Sequence, residues 1–438
     1  MTSTGTNSTP EGSDQDPERL TDDEVRFALS NLEVAFRPSA PVNSEDLFSG
    51  RKEQRWNLQE AITAVGQHAI IFGERGVGKS SLAALTVSMH NDVGYVAVRV
   101  TCDVSDNFNS IWKKFVDECN IYLASHPDHS EELEEAMGRA AEIIDNEQLG
   151  PAEVRIALRH ILTVARVVVF FDEFDQIYDP GTLELMPNLM KALSDQIEPA
   201  TLIPVGVADS IDQLISGHAS IGRNLVQVRM PRMQRNELQE IAVNGFTMLG
   251  LTASPDALRF ITYVPQGFPQ YAHILAQEGA RQALMNSRRT VTTRHTLDGL
   301  RVGLGKMDHT LTSAYQTATY TAKESRYREV LLACALADRD EYGYFSPSDI
   351  SASYAKIIGA PTADVSRFNR HLVDLSQGRG EVLTQSGPAR RHRYRFSDPL
   401  MEPYVLLRGI DSGVISVGEM LGPVVMSSDV PTGLETLF

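Results

Sequence analysis

Residues 73–80 read Gly-Glu-Arg-Gly-Val-Gly-Lys-Ser, which fills every fixed position of G-x-x-x-x-G-K-[ST]. An apolar run, HAIIF, leads into this segment, and a helix-like stretch, SLAALTVSMH, leads out of it. No other feature limits the fold as much, because a strand must deliver the chain to a tight glycine turn and a helix must start at its far side. Glycines let backbone N–H groups turn inward around phosphate oxygens, and the helix N-terminus adds its dipole. The candidate phosphate-binding residues are Gly73, Glu74, Arg75, Gly76, Val77, Gly78, Lys79, Ser80 and Ser81. Lys79 is expected at the β- and γ-phosphates and the Ser80 hydroxyl at Mg²⁺, so ATP and Mg²⁺ are the expected ligands.

From residue 51 to 233 apolar runs alternate with helical patterns. The runs are HAIIFG (68–73), YVAVRV (95–100), RVVVFFDEF (166–174), TLIPVGV (201–207) and NLVQVRM (224–230). Continuous apolar runs suit strands buried on both faces of a parallel sheet, and the alternation predicts a doubly wound α/β domain. The third run ends in Asp172-Glu173. At a strand tip Asp172 is expected to hold the metal and its water shell, and Glu173 to polarise the attacking water. Asp175 completes the DEFD string, either as a supporting acid or as surface. Asp209 leaves the C-terminal end of the next run, where ligand-facing residues of open α/β sheets gather. It is a candidate catalytic residue that senses the γ-phosphate, or else the cap of a following helix.

Composition narrows the function classes. The chain has 438 residues and a net charge of −17, which argues against a surface that coats nucleic acid or an anionic membrane. Only three cysteines occur, at 102, 119 and 334, so a disulfide framework is not expected and a cytoplasmic setting is. No apolar run of about 18 residues exists, so no membrane-spanning helix is expected. Residues 1–20 are polar and acidic, are expected to be disordered, and do not resemble a secretory signal. Residues 21–50 hold a short helix, with Thr21 and Asp22 as caps, and an extended stretch. Residues 234–305 read as a helical lid, with Ser254-Pro255-Asp256 as a helix start. Residues 306–324 read as a linker helix, 325–405 as a further unit, and 406–438 as a tail without an assigned role.

The run YVAVRV between the phosphate loop and the Asp-Glu pair resembles the additional-strand class of P-loop ATPases rather than small-molecule kinases. Phe48-Ser49-Gly50-Arg51 resembles the hydrophobic-x-Gly-Arg element beside adenine in AAA+ and STAND ATPases. Together with GERGVGKSSLA, FFDEFD, VGVADS and GRN, the chain resembles an AAA+ ATPase of the replication-initiator and STAND neighbourhood over residues 40–300. The resemblance implies that Gly50 and Arg51 lie at the adenine. It implies that Arg223 is a catalytic arginine reaching a neighbouring subunit's γ-phosphate, with Arg229 and Arg232 as weaker candidates. In Gly267-Phe268-Pro269-Gln270 the position where initiators usually carry arginine holds Gln270, whereas Gly-x-Pro resembles the STAND signature with Pro269 against the adenine.

In the third unit, three helical stretches (325–338, SPSDISASYAKII and 363–376) precede two short strand patterns, EVLTQS and HRYRF. This order resembles a winged helix. Residues 361–396 carry seven arginines against three acids inside an acidic chain. Arg367, Arg370, Arg390, Arg391, Arg393 and Arg395 are the candidate contacts to duplex DNA. The alternative implied by STAND ATPases is that this unit folds back on the nucleotide domain, its arginines pairing with acids of 131–147. The combined expectation is an ATP-hydrolysing switch that rearranges its lid and winged helix and self-assembles. A DNA-binding initiator or loader is the first alternative. A slow nucleotide sensor recruiting a protein effector is the second.

Overall fold

The strand leading into the phosphate loop, β1 (His68–Gly73), is buried at all six positions. The computed structural model describes residues 17–38, 48–146, 148–208, 222–321, 325–340, 342–388 and 391–421. Asp209, Arg390 and residues 1–16 lie outside the described residues. Four further strands complete a parallel sheet: β2 (Val96–Thr101), β3 (Val167–Asp172), β4 (Ala200–Val207) and β5 (Leu225–Arg229). Their order is β2-β3-β4-β1-β5. Every neighbouring pair is parallel, with Ile71 opposite Val205, Val228 opposite Ile71, and Phe171 opposite Pro204. The chain has a P-loop NTPase fold.

The run YVAVRV intervenes in sequence, but β2 sits at the sheet edge, and the strand between β1 and β3 is β4. Asp172 and the phosphate loop are therefore one strand apart, and Gly206 and Val207 of β4 form the floor between them.

Because side chains alternate across a strand, the sheet separates two cores. Ile70, Phe72, Val169 and Leu202 pack with Trp112 and Phe115 on one face. Ala69, Ile71, Phe170 and Val205 face a second core, which also takes in the lid and the C-terminal unit. That shared core fixes how the later units sit on the sheet.

Thr21 caps the first helix (Asp22–Ala35) in a capping box with Glu24. The lid has helices Arg235–Met248, Pro255–Tyr263, Pro269–Met285 and Thr293–Gly305. Ser254 caps the second of these, with Pro255 in its first turn. The lid also holds a small parallel pair, Thr252–Ala253 with Thr290–Val291, in a stretch that reads as wholly helical. Residues 18–20 do not behave as a loose tail. The Leu20 N–H donates to the Ser287 carbonyl, and the Arg289 N–H donates to that of Glu18.

The C-terminal unit has helices Tyr327–Ala335, Ser351–Ile357 and Asn369–Gln377. An antiparallel ribbon, Leu383–Ser386 with Arg393–Phe396, follows, and Phe345 adds a bridge to Tyr394. The boundary expected at residue 405 falls inside another helix, Met401–Asp411. Tyr404, Leu406 and Leu407 on that helix are buried, as are Ile415 and Val417 beyond it. Periodicity there is masked because the helix is apolar nearly all round, the pattern of an element enclosed by its neighbours. Among the described residues, no helix is long and apolar enough to cross a membrane.

Candidate active site

Gly76 and Gly78 have left-handed backbones, φ 82° and 97°, which favour glycine, and two of the loop glycines also leave little room for a side chain. A Cβ on Gly73 would lie 2.4 Å from the Met230 carbonyl oxygen, and one on Gly76 would lie 2.6 Å from Leu400 Cδ2. The second contact brings the C-terminal unit directly onto the loop. Helix Lys79–Asn91 starts at its end. Lys79 is buried and folds back along the loop, donating from Nζ to the carbonyl oxygens of Gly73 (2.9 Å) and Glu74 (2.8 Å). Burial pushes its ammonium down to about 8, against the opposing pull of Asp175, Asp172 and Glu74.

Ser80 follows on the same helix, and its hydroxyl donates to Asp172 Oδ1 at 3.2 Å. Asp172 is buried at the tip of β3 and also accepts from the Glu173 N–H at 3.1 Å. A hydroxyl and a carboxylate so close suit a small hard cation that keeps water and phosphate oxygens as its other ligands. Among the described residues, no group of three His, Cys, Asp or Glu side chains offers a complete protein cage. Arg99 of β2, unmarked by any motif, stands beneath this pair. Its Nη1 donates to the Ser80 carbonyl at 3.4 Å and lies 3.7 Å from Asp172 Oδ2.

Glu173 has a left-handed backbone, φ 58°, a conformation that costs a non-glycine residue on the order of 1–3 kcal/mol and clusters at functional sites. The turn ends β3 and leaves the exposed Glu173 side chain on the cavity wall. Asp175 is not idle surface. Its Oδ1 accepts the Val207 N–H at 2.8 Å, tying the exit of β3 to the end of β4.

These groups line a cavity of about 480 Å³ between the sheet and the lid, a size that suits a small-molecule ligand. Its walls include Arg75 to Ser81, Asp172, Glu173, Arg51 and Pro269, but neither Gly73 nor Glu74. Phe48, Ile241, His273, Ile274, Met307 and Leu311 line it as well, among the polar groups of Arg37, Ser49, Gln270 and Asp308. Met307 and Leu311 come from the stretch read as a linker. His273 lies one helical turn beyond Pro269, so the two share a face. Leu400 closes the wall from the C-terminal unit. Sequence motifs point to none of these four, since each reaches the cavity through packing between distant segments.

The expected adenine-side residues are braced by the protein. Gly50 N–H donates to Glu240 Oε2 at 3.0 Å, and Arg51 N–H to Glu237 Oε1 at 2.7 Å. Buried Arg51 donates from Nη2 to the Val77 carbonyl at 2.8 Å, so its guanidinium supports the phosphate loop itself. Burial pushes it down to about 10.

Arg232 is more than the spare arginine its sequence position suggests. It donates to Glu74 Oε2 at 2.6 Å and to Glu402 Oε2 at 2.8 Å, and lies over the Phe268 ring at 4.6 Å. Buried Glu402 is also held by Arg339. Arg75 pairs with Asp398 at 3.3 Å, and Tyr271 donates its hydroxyl to the Leu400 carbonyl at 2.5 Å. The Glu74 and Arg75 side chains thus face the C-terminal unit. Arg223 is exposed ahead of edge strand β5, away from the cavity of its own chain. Arg229 lies over Tyr342 at 5.8 Å.

The basic ribbon divides. Arg367, Arg370 and Arg391 are exposed. Arg393 pairs with Asp340, and Arg395 stacks over Tyr344 at 4.8 Å. The expected pairing with acids of 131–147 does not occur among the described residues. Those acids instead meet Lys113, His129 and Arg139. The unit does lie on the phosphate loop, but through residues 398–402 rather than through its ribbon arginines.

Residues 47–203 match the family model described as AAA ATPase domain. No curated protein matches the sequence. Among solved structures, the Walker-type ATPase of Pyrococcus abyssi is 17% identical, covering 84% of this chain and 99% of that one, with TM-score 0.48. Cdc6p from Pyrobaculum aerophilum is 15% identical, covering 87% and 99%, with TM-score 0.42. The Aeropyrum pernix ORC1 protein in complex with DNA is 13% identical, covering 88% and 98%, with TM-score 0.43. With the loop, the buried lysine and the strand-tip acid pair assembled on one cavity, and with residues 47–203 similar to the AAA ATPase domain, the protein is a P-loop ATPase.

Proposed function

We propose that the protein is an ATP-driven molecular switch whose C-terminal unit reads the state of the phosphate loop. The observation that carries this reading is Arg232, which holds Glu74 of the loop and Glu402 of the C-terminal unit at once. ATP occupies the cavity, with its phosphates on Arg75 to Ser81. Lys79 exchanges the Gly73 and Glu74 carbonyls for phosphate oxygens. Ser80 and Asp172 would hold Mg²⁺, which would screen the phosphate charge. Glu173 accepts a proton from the attacking water. Any movement of the loop at Glu74, Arg75 or Gly76 is felt at Glu402, Asp398 or Leu400, because Arg232 bridges Glu74 to Glu402, Arg75 pairs with Asp398, and Leu400 lies against Gly76.

Amide hydrogen exchange over residues 398–411 tests this coupling. With ATP and Mg²⁺, exchange there is expected to quicken about 5- to 150-fold, the range of a coupling of about 1–3 kcal/mol. Arg232→Ala is expected to quicken it without nucleotide. Exchange that stays unchanged while ATP binds counts against the switch.

A second reading, contact with duplex DNA through a winged helix, is supported by the exposure of Arg367, Arg370 and Arg391 on the helix and ribbon unit. It requires ATP hydrolysis to rise with duplex DNA and the rise to vanish in Arg370→Ala/Arg391→Ala. Self-assembly through Arg223 fits its exposed place before edge strand β5. A protein effector is the partner left if DNA has no effect.

A further inference from the structure

Strand β2 is apolar along its buried length with one exception. Val96, Ala97, Val98 and Val100 are buried, and Arg99 stands among them. It lies in register with Phe170 of β3, two residues before the Asp172 tip. The Arg99 side chain is 32% exposed, so its charge is partly withdrawn from water, which is unfavourable without compensating partners. Those partners are two parts of the phosphate and metal site: the Ser80 carbonyl at 3.4 Å and Asp172 Oδ2 at 3.7 Å.

Both partners are already held without the arginine. Asp172 Oδ1 accepts from the Ser80 hydroxyl and from the Glu173 N–H. Ser80 sits in the first turn of helix Lys79–Asn91. Lys79, the neighbouring cation, directs its ammonium to the Gly73 and Glu74 carbonyls rather than to Asp172. What Arg99 contributes is therefore a permanent positive charge, since a guanidinium is not deprotonated in proteins. That charge rests against the second oxygen of the same carboxylate whose first oxygen suits Mg²⁺.

We propose that Arg99 is a resident counter-ion of the metal site, one that supports nucleotide binding when Mg²⁺ is absent and weakens the hold on Mg²⁺ when it is present. This rests on the nucleotide occupying the cavity as described above. A cation within about 4–6 Å of a carboxylate lowers its affinity for a proton about 10- to 10³-fold. The same repulsion acts on a metal ion at Asp172, because like charges on two oxygens of one carboxylate oppose each other. Water reaches Arg99, which screens the effect toward the low end of that range. Phosphate oxygens are attracted by the guanidinium, so nucleotide without metal gains from it. Arg99 acts through Asp172 and Ser80 and touches none of the reacting atoms; it sets the metal dependence of binding.

The experiment is calorimetric titration of the full chain with ADP, once in EDTA and once in saturating Mg²⁺. ADP avoids turnover, and the affinity of free ADP for Mg²⁺ is common to all variants and cancels. The quantity read is the ratio of the two dissociation constants, EDTA over Mg²⁺. Arg99→Met keeps an unbranched apolar stem without the charge and is expected to raise this ratio about tenfold. Arg99→Lys keeps the charge and is expected to stay within a few-fold of wild type. Arg99→Gln, neutral but polar, carries the test if the methionine variant does not fold. A merely structural role would weaken ADP alike in both conditions and leave the ratio unchanged, which overturns the proposal. A ratio that falls overturns it as well, since Arg99 would then be assisting the metal. Failure of the wild type to bind ADP in either condition overturns the nucleotide-site reading itself, and this proposal with it.

Discussion

Lys79→Ala is expected to abolish tight ATP binding. The side chain is buried, and its ammonium is already aimed along the loop at the Gly73 and Glu74 carbonyls. In the nucleotide complex those bonds become charge-assisted bonds to phosphate, worth about 1.5–3 kcal/mol each. Two of them lost correspond to a fall in affinity of roughly 10²- to 10⁴-fold. Titration calorimetry with ATP and Mg²⁺ measures the change directly. Circular dichroism must show that the variant is folded, since alanine leaves two loop carbonyls without their donor. Affinity within a few-fold of wild type would remove Lys79 from the phosphate site.

Glu173→Gln is expected to separate binding from turnover. The amide keeps the shape of the side chain and its place on the cavity wall, but it cannot take a proton from water. General-base catalysis contributes roughly 10²- to 10⁴-fold, and the turnover number should fall by that factor with ATP affinity nearly unchanged. Glu173 suits this role by position. It is the exposed member of the acid pair, whereas Asp172 is buried against Ser80 and Arg99. Hydrolysis at the wild-type rate would assign the base elsewhere, with Asp175 another acid on the wall.

Both predictions concern residues whose place is legible from local sequence. The loop at 73–80 depends on neighbours in the chain, since glycines set the turn and the following helix sets the lysine and serine on its first turn. Asp172 and Glu173 are equally local, because a buried strand must end where its polar residues begin. The helix starts at Thr21 and Ser254 were legible for the same reason, each cap bonding to a backbone N–H three residues away.

What local sequence determined about this protein is therefore the P-loop, the strand-tip acids, the alternation that makes an α/β sheet, and the order of helices and ribbon near the C-terminus. Tertiary structure alone decided the rest. It put β4 rather than β2 beside β1. It turned the Arg51 guanidinium to the Val77 carbonyl, brought Arg99 beneath Asp172, and made Arg232 the link between Glu74 and Glu402. It carried His273, Met307 and Leu400 to one cavity. The physical reason is range. Turns, caps and strand ends are set by steric and hydrogen-bonding preferences within a few residues. Strand order and the partners of a buried arginine depend on which distant apolar faces close over one another, and a single chain read in order carries no mark of that.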